Sequence, residues 1–102
     1  MDAWYRPVIA FVDRTDADDP GDRLDRLLDL PPSAKLAFLV LEREGPLTQT
    51  ALAERTLLPR RTTRAAVNAL ERADVVEETP YRLDARKKAY RARPVDRERR
   101  EG

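Results

Sequence analysis

The stretch Pro46 to Glu77, PLTQTALAERTLLPRRTTRAAVNALERADVVE, decides the fold. Thr48 is a helix-capping residue type, and it predicts a short helix over roughly 49–55 with Leu52 and Ala53 inward. Leu57 and Leu58 form a brief apolar break, and Pro59 has the fixed φ suited to a first helical position. Thr63, Ala66, Val67 and Leu70 then recur at spacings of 3, 4 and 7, the buried face of a helix over roughly 59–73. The opposite face of that helix shows Arg60, Arg61, Arg64 and Asn68. After Asp74 the pattern changes, and Val75 and Val76 start a strand.

Upstream, Leu36, Ala37, Leu39, Val40 and Leu41 give a helix over 33–44 a broad apolar face. Ser33 is its expected N-cap, and Gly45 with Pro46 ends it. Leu24, Leu27, Leu28 and Leu30 predict a short amphipathic helix over 22–30 that stops before Pro31. Downstream, Thr79 to Asp84 reads as a turn region around Pro80, and RKKAYRA, 86–92, as a returning strand with Tyr90 inward. A short helix, a tight break, a second helix and a hairpin make a winged helix-turn-helix. The expected fold is α+β, mainly α: a three-helix core plus a two-stranded β-wing, with an N-terminal arm and a short leading helix.

The division expected along the chain is arm and acidic linker 1–21, winged domain 22–92 and basic flexible tail 93–102. Residues 1–12, MDAWYRPVIAFV, hold the only Trp, and Pro7 argues for a strand or irregular arm. It has two possible resting places, its own domain or a second copy. Residues 13–22, DRTDADDPGD, are turn-rich and acidic.

Composition removes most chemistry. The 102 residues suit one domain, with 41% hydrophobic and 38% charged residues. There is no Cys and no His, so no disulfide, thiolate, zinc-finger set or imidazole base is available, and the only Ser is Ser33. Glu77 and Glu78 are neighbours on a strand and point to opposite faces, so they make no carboxylate pair. No enzyme activity, cofactor or metal is expected. The longest apolar run, Leu36 to Leu41, falls far short of the ~20 residues of a membrane span. The N-terminus lacks the order of a signal peptide, which gives a cytoplasmic expectation.

The net charge of +1 conceals a gradient. Residues 1–32 hold eight Asp against four Arg, residues 33–80 seven charges of each sign, and residues 81–102 nine Lys and Arg against four acids. A basic end on a balanced domain is a candidate polyanion surface or, alternatively, a solvated tail. Arg60, Arg61 and Arg64 cluster where a helix macrodipole favours acids, a conflict that a bound anion relieves. A solvated basic face is the other reading. The N-terminal end of a recognition helix enters the major groove, where Arg donates two hydrogen bonds to guanine. Asn68 is a candidate for adenine or a phosphate, and Thr48, Gln49 and Thr62 for phosphates. On the wing, Arg82, Arg86, Lys87 and Lys88 are suited to a minor groove, or to guarding an exposed edge.

The segment 31–91 resembles the winged helix-turn-helix domain of MarR-type regulators, especially compact forms from halophilic archaea. PLTQTALAERT is similar to the family's second helix, LPRRTTRAAVNALERADVVE to its recognition helix and the exit from it, and DARKKAYR to its wing. The resemblance implies that Asp84 orients Arg86 at the minor groove. The chain has Asp74 where the family usually has Gly, and Thr63 where it usually has Val, which implies a looser core at that point. The function expected is a sequence-specific regulator that binds double-stranded DNA as a homodimer, with a small-molecule effector unassigned. The alternatives are a winged-helix module that binds another protein, and an RNA-binding or nucleoid-coating role carried by the tail.

Overall fold

Each helix among the described residues buries one face, and those faces meet in a shared core. The computed structural model describes residues 20–97. In chain order these form α1 (Pro20–Leu28), α2 (Pro32–Glu44), β1 (Leu47–Thr48), α3 (Gln49–Thr56), α4 (Arg60–Arg72), β2 (Val76–Tyr81) and β3 (Asp84–Ala92). The arm, most of the acidic linker and the last five residues of the tail lie outside the described residues.

The core joins Phe38 and Leu41 of α2, Leu52 of α3, Val67 and Leu70 of α4, Val75 and Tyr90. Leu24 and Leu27 of α1 close it from one side. The contact between α2 and α4 is the most extensive between helices. Thr63 is only 1% exposed, and its hydroxyl donates to the Pro59 carbonyl at 3.1 Å. The expected loosening at this position does not occur, because the hydroxyl finds a partner inside its own helix. Arg26 of α1 reaches across to the other end of α4, where its Nε donates to the Ala73 carbonyl at 2.6 Å. A cation there also complements the helix dipole.

Several boundaries differ from the sequence reading. Ser33 is not a cap. The helix begins at Pro32, with Pro31 in the cap position and no side-chain cap. The Pro31 carbonyl instead accepts from the amides of Ala34 and Lys35. Pro59 likewise occupies the cap position of α4 instead of the expected first helical position, so the helix starts one residue later, at Arg60. Thr48 caps α3 as expected, accepting from the Ala51 amide at 3.2 Å.

Among the described residues the sheet has three strands, in the order β1-β3-β2: the expected two-stranded wing, with β1 added beside β3. Leu47 pairs with Tyr90 and Thr48 with Ala89, so β1 ties the hairpin to the start of α3. The turn is also tighter than expected. Thr79, Pro80 and Tyr81 belong to β2, and only Arg82 and Leu83 connect the strands. Pro80 is tolerated because β2 is an edge strand, where a missing N–H costs no ladder bond.

The expected loose tail begins with a docked segment. The Arg93 amide donates to Val75, and the Asp96 amide to Pro20. Arg23 Nε donates to the Pro94 carbonyl at 3.1 Å, and Arg97 grips Glu42 at 3.0 and 2.7 Å. Val95 supplies the apolar contact that the composition of the tail had hidden.

Among the described residues two non-glycines adopt positive φ, Leu57 at 63° and Asp74 at 62°. Asp74 stands where the family resemblance marks a glycine, and its carboxylate accepts from Arg93 at 2.9 Å. Leu57 ends α3 and leaves its side chain 89% exposed. A left-handed backbone costs a leucine about 1–2 kcal/mol, and this side chain recovers almost none of it by burial. Leu57→Gly is therefore expected to raise stability by up to about 1 kcal/mol, once the greater freedom of the unfolded glycine is subtracted. Urea denaturation of the two proteins measures the difference.

Candidate nucleic-acid interface

The inner face of α4, Thr63, Ala66, Val67 and Leu70, is buried. Helical periodicity then forces Arg60, Arg61, Arg64 and Asn68 outward, and all four are exposed. Pro59 provides no side-chain cap, so the first-turn amides that no helical carbonyl reaches point in the same direction as the arginines. Elsewhere Arg55, Arg91, Arg93 and Arg97 each hold a carboxylate. Arg60, Arg61 and Arg64 hold none among the described residues. Positive charge is thus left unneutralised at a helix end that favours anions.

The expected residues form a connected surface. One cleft is lined by Gln49, Thr50, Arg60 and Arg64, which brings the starts of α3 and α4 together. A second runs from Thr48, Gln49 and Thr50 to Arg86, Lys87 and Lys88 on the wing. Gln49 and Thr50 line both, so a band extends from α4 across the start of α3 to the wing. The Thr48 hydroxyl oxygen accepts from Ala51, which leaves its proton available for an outside acceptor. Gln49 Nε2 lies 3.4 Å from the Tyr90 hydroxyl, a long contact that steadies the amide.

Not every expected residue joins the band. Thr62 is half-buried, and neither it nor Arg61 nor Asn68 lines the two clefts. Arg61 and Asn68 instead share the exposed face of α4 with Arg64. Lys88 pairs with Glu78 at 3.3 Å, which reduces the charge it presents. Thr50 and Tyr90 were missed as site residues. Thr50 had a readable signal, because it follows Gln49 at the start of a helix whose inner face begins at Leu52. Glu54 also lines the wing-side cleft and opposes an anion there.

The wing is shaped by a register shift. Pro80 pairs with Lys88 but Tyr81 pairs with Asp84, so Ala85, Arg86 and Lys87 fall between the paired positions. Such a bulge re-aims side chains out of the pleat. Asp84 holds it in place: Oδ1 accepts from the Arg86 amide and from Arg86 Nε, both at 3.1 Å. Arg86 Nη2 donates to Oδ2 at 3.4 Å. The rest of the Arg86 side chain stays exposed. The Arg86 guanidinium, with its backbone amide second, holds the Asp84 carboxyl below its ordinary value. Among the described residues no group of His, Cys, Asp or Glu is placed to hold a metal.

Helix, short helix, uncapped basic helix and a strand-pinned hairpin define a winged-helix domain. A model of the MarR family matches residues 28–87, and the chain belongs to that family. No curated protein sequence matches it. Among solved structures it is similar to a probable transcriptional regulator from Pseudomonas aeruginosa, with 23% identity, TM-score 0.61, and 65% of this chain and 50% of that one covered. YusO of Bacillus subtilis gives 18% identity, TM-score 0.58 and coverages of 70% and 52%. MepR of S. aureus, crystallised as a DNA complex, gives 20% identity, TM-score 0.56 and coverages of 83% and 67%. The chain thus spans about half the length of the first two of these. At these identities the likeness is one of fold.

The clamp on the wing has a pH signature. A carboxyl whose folded pKa is depressed keeps its contacts above that value and loses them as pH falls through it. An NMR titration of the Asp84 carboxyl should give a midpoint below the ordinary value of about 3.9. Arg86→Ala should move that midpoint up toward the ordinary value.

Proposed function

We propose that this chain is a sequence-specific, double-stranded DNA-binding transcriptional regulator, with α4 in the major groove and the hairpin at the minor groove. The observation that carries the reading is the set of exposed arginines at the uncapped start of α4, unpaired among the described residues and continuous with the wing. Arg60, Arg61 and Arg64 read base edges, with Asn68 farther along the groove. Thr48, Gln49 and Thr62 meet phosphates, and Arg86, Lys87 and Lys88 hold the minor-groove side. MepR and AbfR have each been crystallised with DNA, which supports the same use of the shared fold here.

The protein acts as a homodimer on a two-fold operator. Leu36 and Leu39 of α2, 39% and 49% exposed and neighbours at i, i+3 on the helix surface, support self-association as adjoining apolar side chains. It is a non-enzymatic, cytoplasmic regulator that needs no cofactor. No helix among the described residues is long and apolar enough to cross a membrane. The Asp-rich start supports a source among halophilic archaea.

Fluorescence anisotropy of labelled duplex from upstream of its own gene, beside a scrambled duplex, tests the reading across a salt series. The upstream duplex should bind tightly and lose affinity steeply with salt as counterion release is suppressed. Combined Arg60→Ala, Arg61→Ala and Arg64→Ala should weaken that binding about 100-fold or more. Equal affinity for both duplexes would favour a coating role, and no binding at low salt would leave a protein partner as the target.

A further inference from the structure

The end of the wing carries an apolar side chain that the fold does not use. Leu83 sits in the two-residue turn between β2 and β3 and is 84% exposed. It takes no part in the core. Its backbone gives no reason for a particular residue, because positive φ among the described non-glycine residues occurs only at Leu57 and Asp74. With Pro80 and Tyr81 it lines a groove along the wing. Arg82 lines the same groove, while Arg86 and Lys87 line the cleft beyond Tyr81, which borders both. All three cations are exposed, and Asp84 fixes the direction of Arg86.

An apolar point flanked by cations matches one kind of surface well. The cations meet phosphates on either side of a DNA minor groove, and the apolar side chain enters between two base pairs, partly unstacking and kinking them. A protein partner would need an apolar pocket rimmed with acids to meet the same tip. We propose that Leu83 is a minor-groove wedge, and that through it the wing selects DNA that deforms easily. This rests on the DNA-binding reading above and adds a sequence preference to it. Arg86 acting alone would favour the narrow groove of a stiff A-tract, whereas a wedge favours the flexible pyrimidine–purine steps TA and CA. The two modes therefore predict opposite preferences at the positions under the wing.

The test uses the full chain and two duplexes taken from the tightest binder selected out of a random pool. They are identical under α4 and differ only under the wing, with a TA step in one and an A-tract in the other. Each carries 2-aminopurine at that step. The wild type should bind the TA duplex about 5-fold tighter and raise the 2-aminopurine fluorescence as the base unstacks. Leu83→Ala should lose both effects and bind the A-tract duplex as before, while Leu83→Met should keep them. Because Leu83 buries almost nothing, these variants should fold like the wild type, as circular dichroism would verify. Preference of the wild type for the A-tract, or an undiminished fluorescence rise in Leu83→Ala, would overturn the wedge and leave DNA binding standing. Failure of the wild type to bind either duplex would overturn both readings.

Discussion

The burial of one face of α4 is the constraint on which the rest of the molecule depends. Val67 and Leu70 are fully enclosed against α2, and Thr63 joins them with its hydroxyl satisfied inside the helix. An α-helix with one face fixed has no freedom in the other. Arg60, Arg61, Arg64 and Asn68 must therefore face outward together, at a helix start whose dipole opposes them. The stability of the core and the cost of the basic face arise from the same helix. An anion bound there would offset that cost.

The second constraint is the short strand β1. Its two residues pair with Tyr90 and Ala89 in the middle of β3, so the hairpin cannot swing freely about the end of α4. The same two residues lead into α3 through the Thr48 cap. Wing and helix-turn-helix are thereby held at one spacing, and the band through Gln49 and Thr50 is a consequence of that pairing. On the other side, Arg26 at the C-terminal end of α4 and the docked residues 93–96 close the molecule around α1. The polar face of α4 is left as the part of the helix that nothing else in the described chain covers.

The helices were legible because their signals are local. The 3, 4, 7 spacing of α4 and the Thr48 cap each act within a few residues, and both appear in the structure where they were read. The positive φ at Asp74 was legible as well, since the resemblance marks that position for glycine and aspartate tolerates the conformation. What escaped was non-local. β1 is two residues long and has no periodicity to read, because it exists only through its partner on β3. The docked start of the tail was hidden by its charge, since Arg97 is held by Glu42, 55 positions away. The Ser33 cap failed because two consecutive prolines already provide the helix start, with the Pro31 carbonyl taking the first amides. Within the site, residue types pointed to the cations, but only the fold shows that Lys88 is engaged by Glu78 while Lys87 is not.

The central claim is that α4, the start of α3 and the wing form one anion-binding surface. It is tested most directly by an NMR titration of the labelled full chain with an unlabelled duplex, following backbone amides and arginine Nε signals together. The account predicts one contiguous set of shifts, at Gln49, Thr50, Arg60, Arg61, Arg64, Arg86 and Lys87, with α1 unmoved. Shifts confined to residues 98–102, or centred on Leu36 and Leu39, would contradict it.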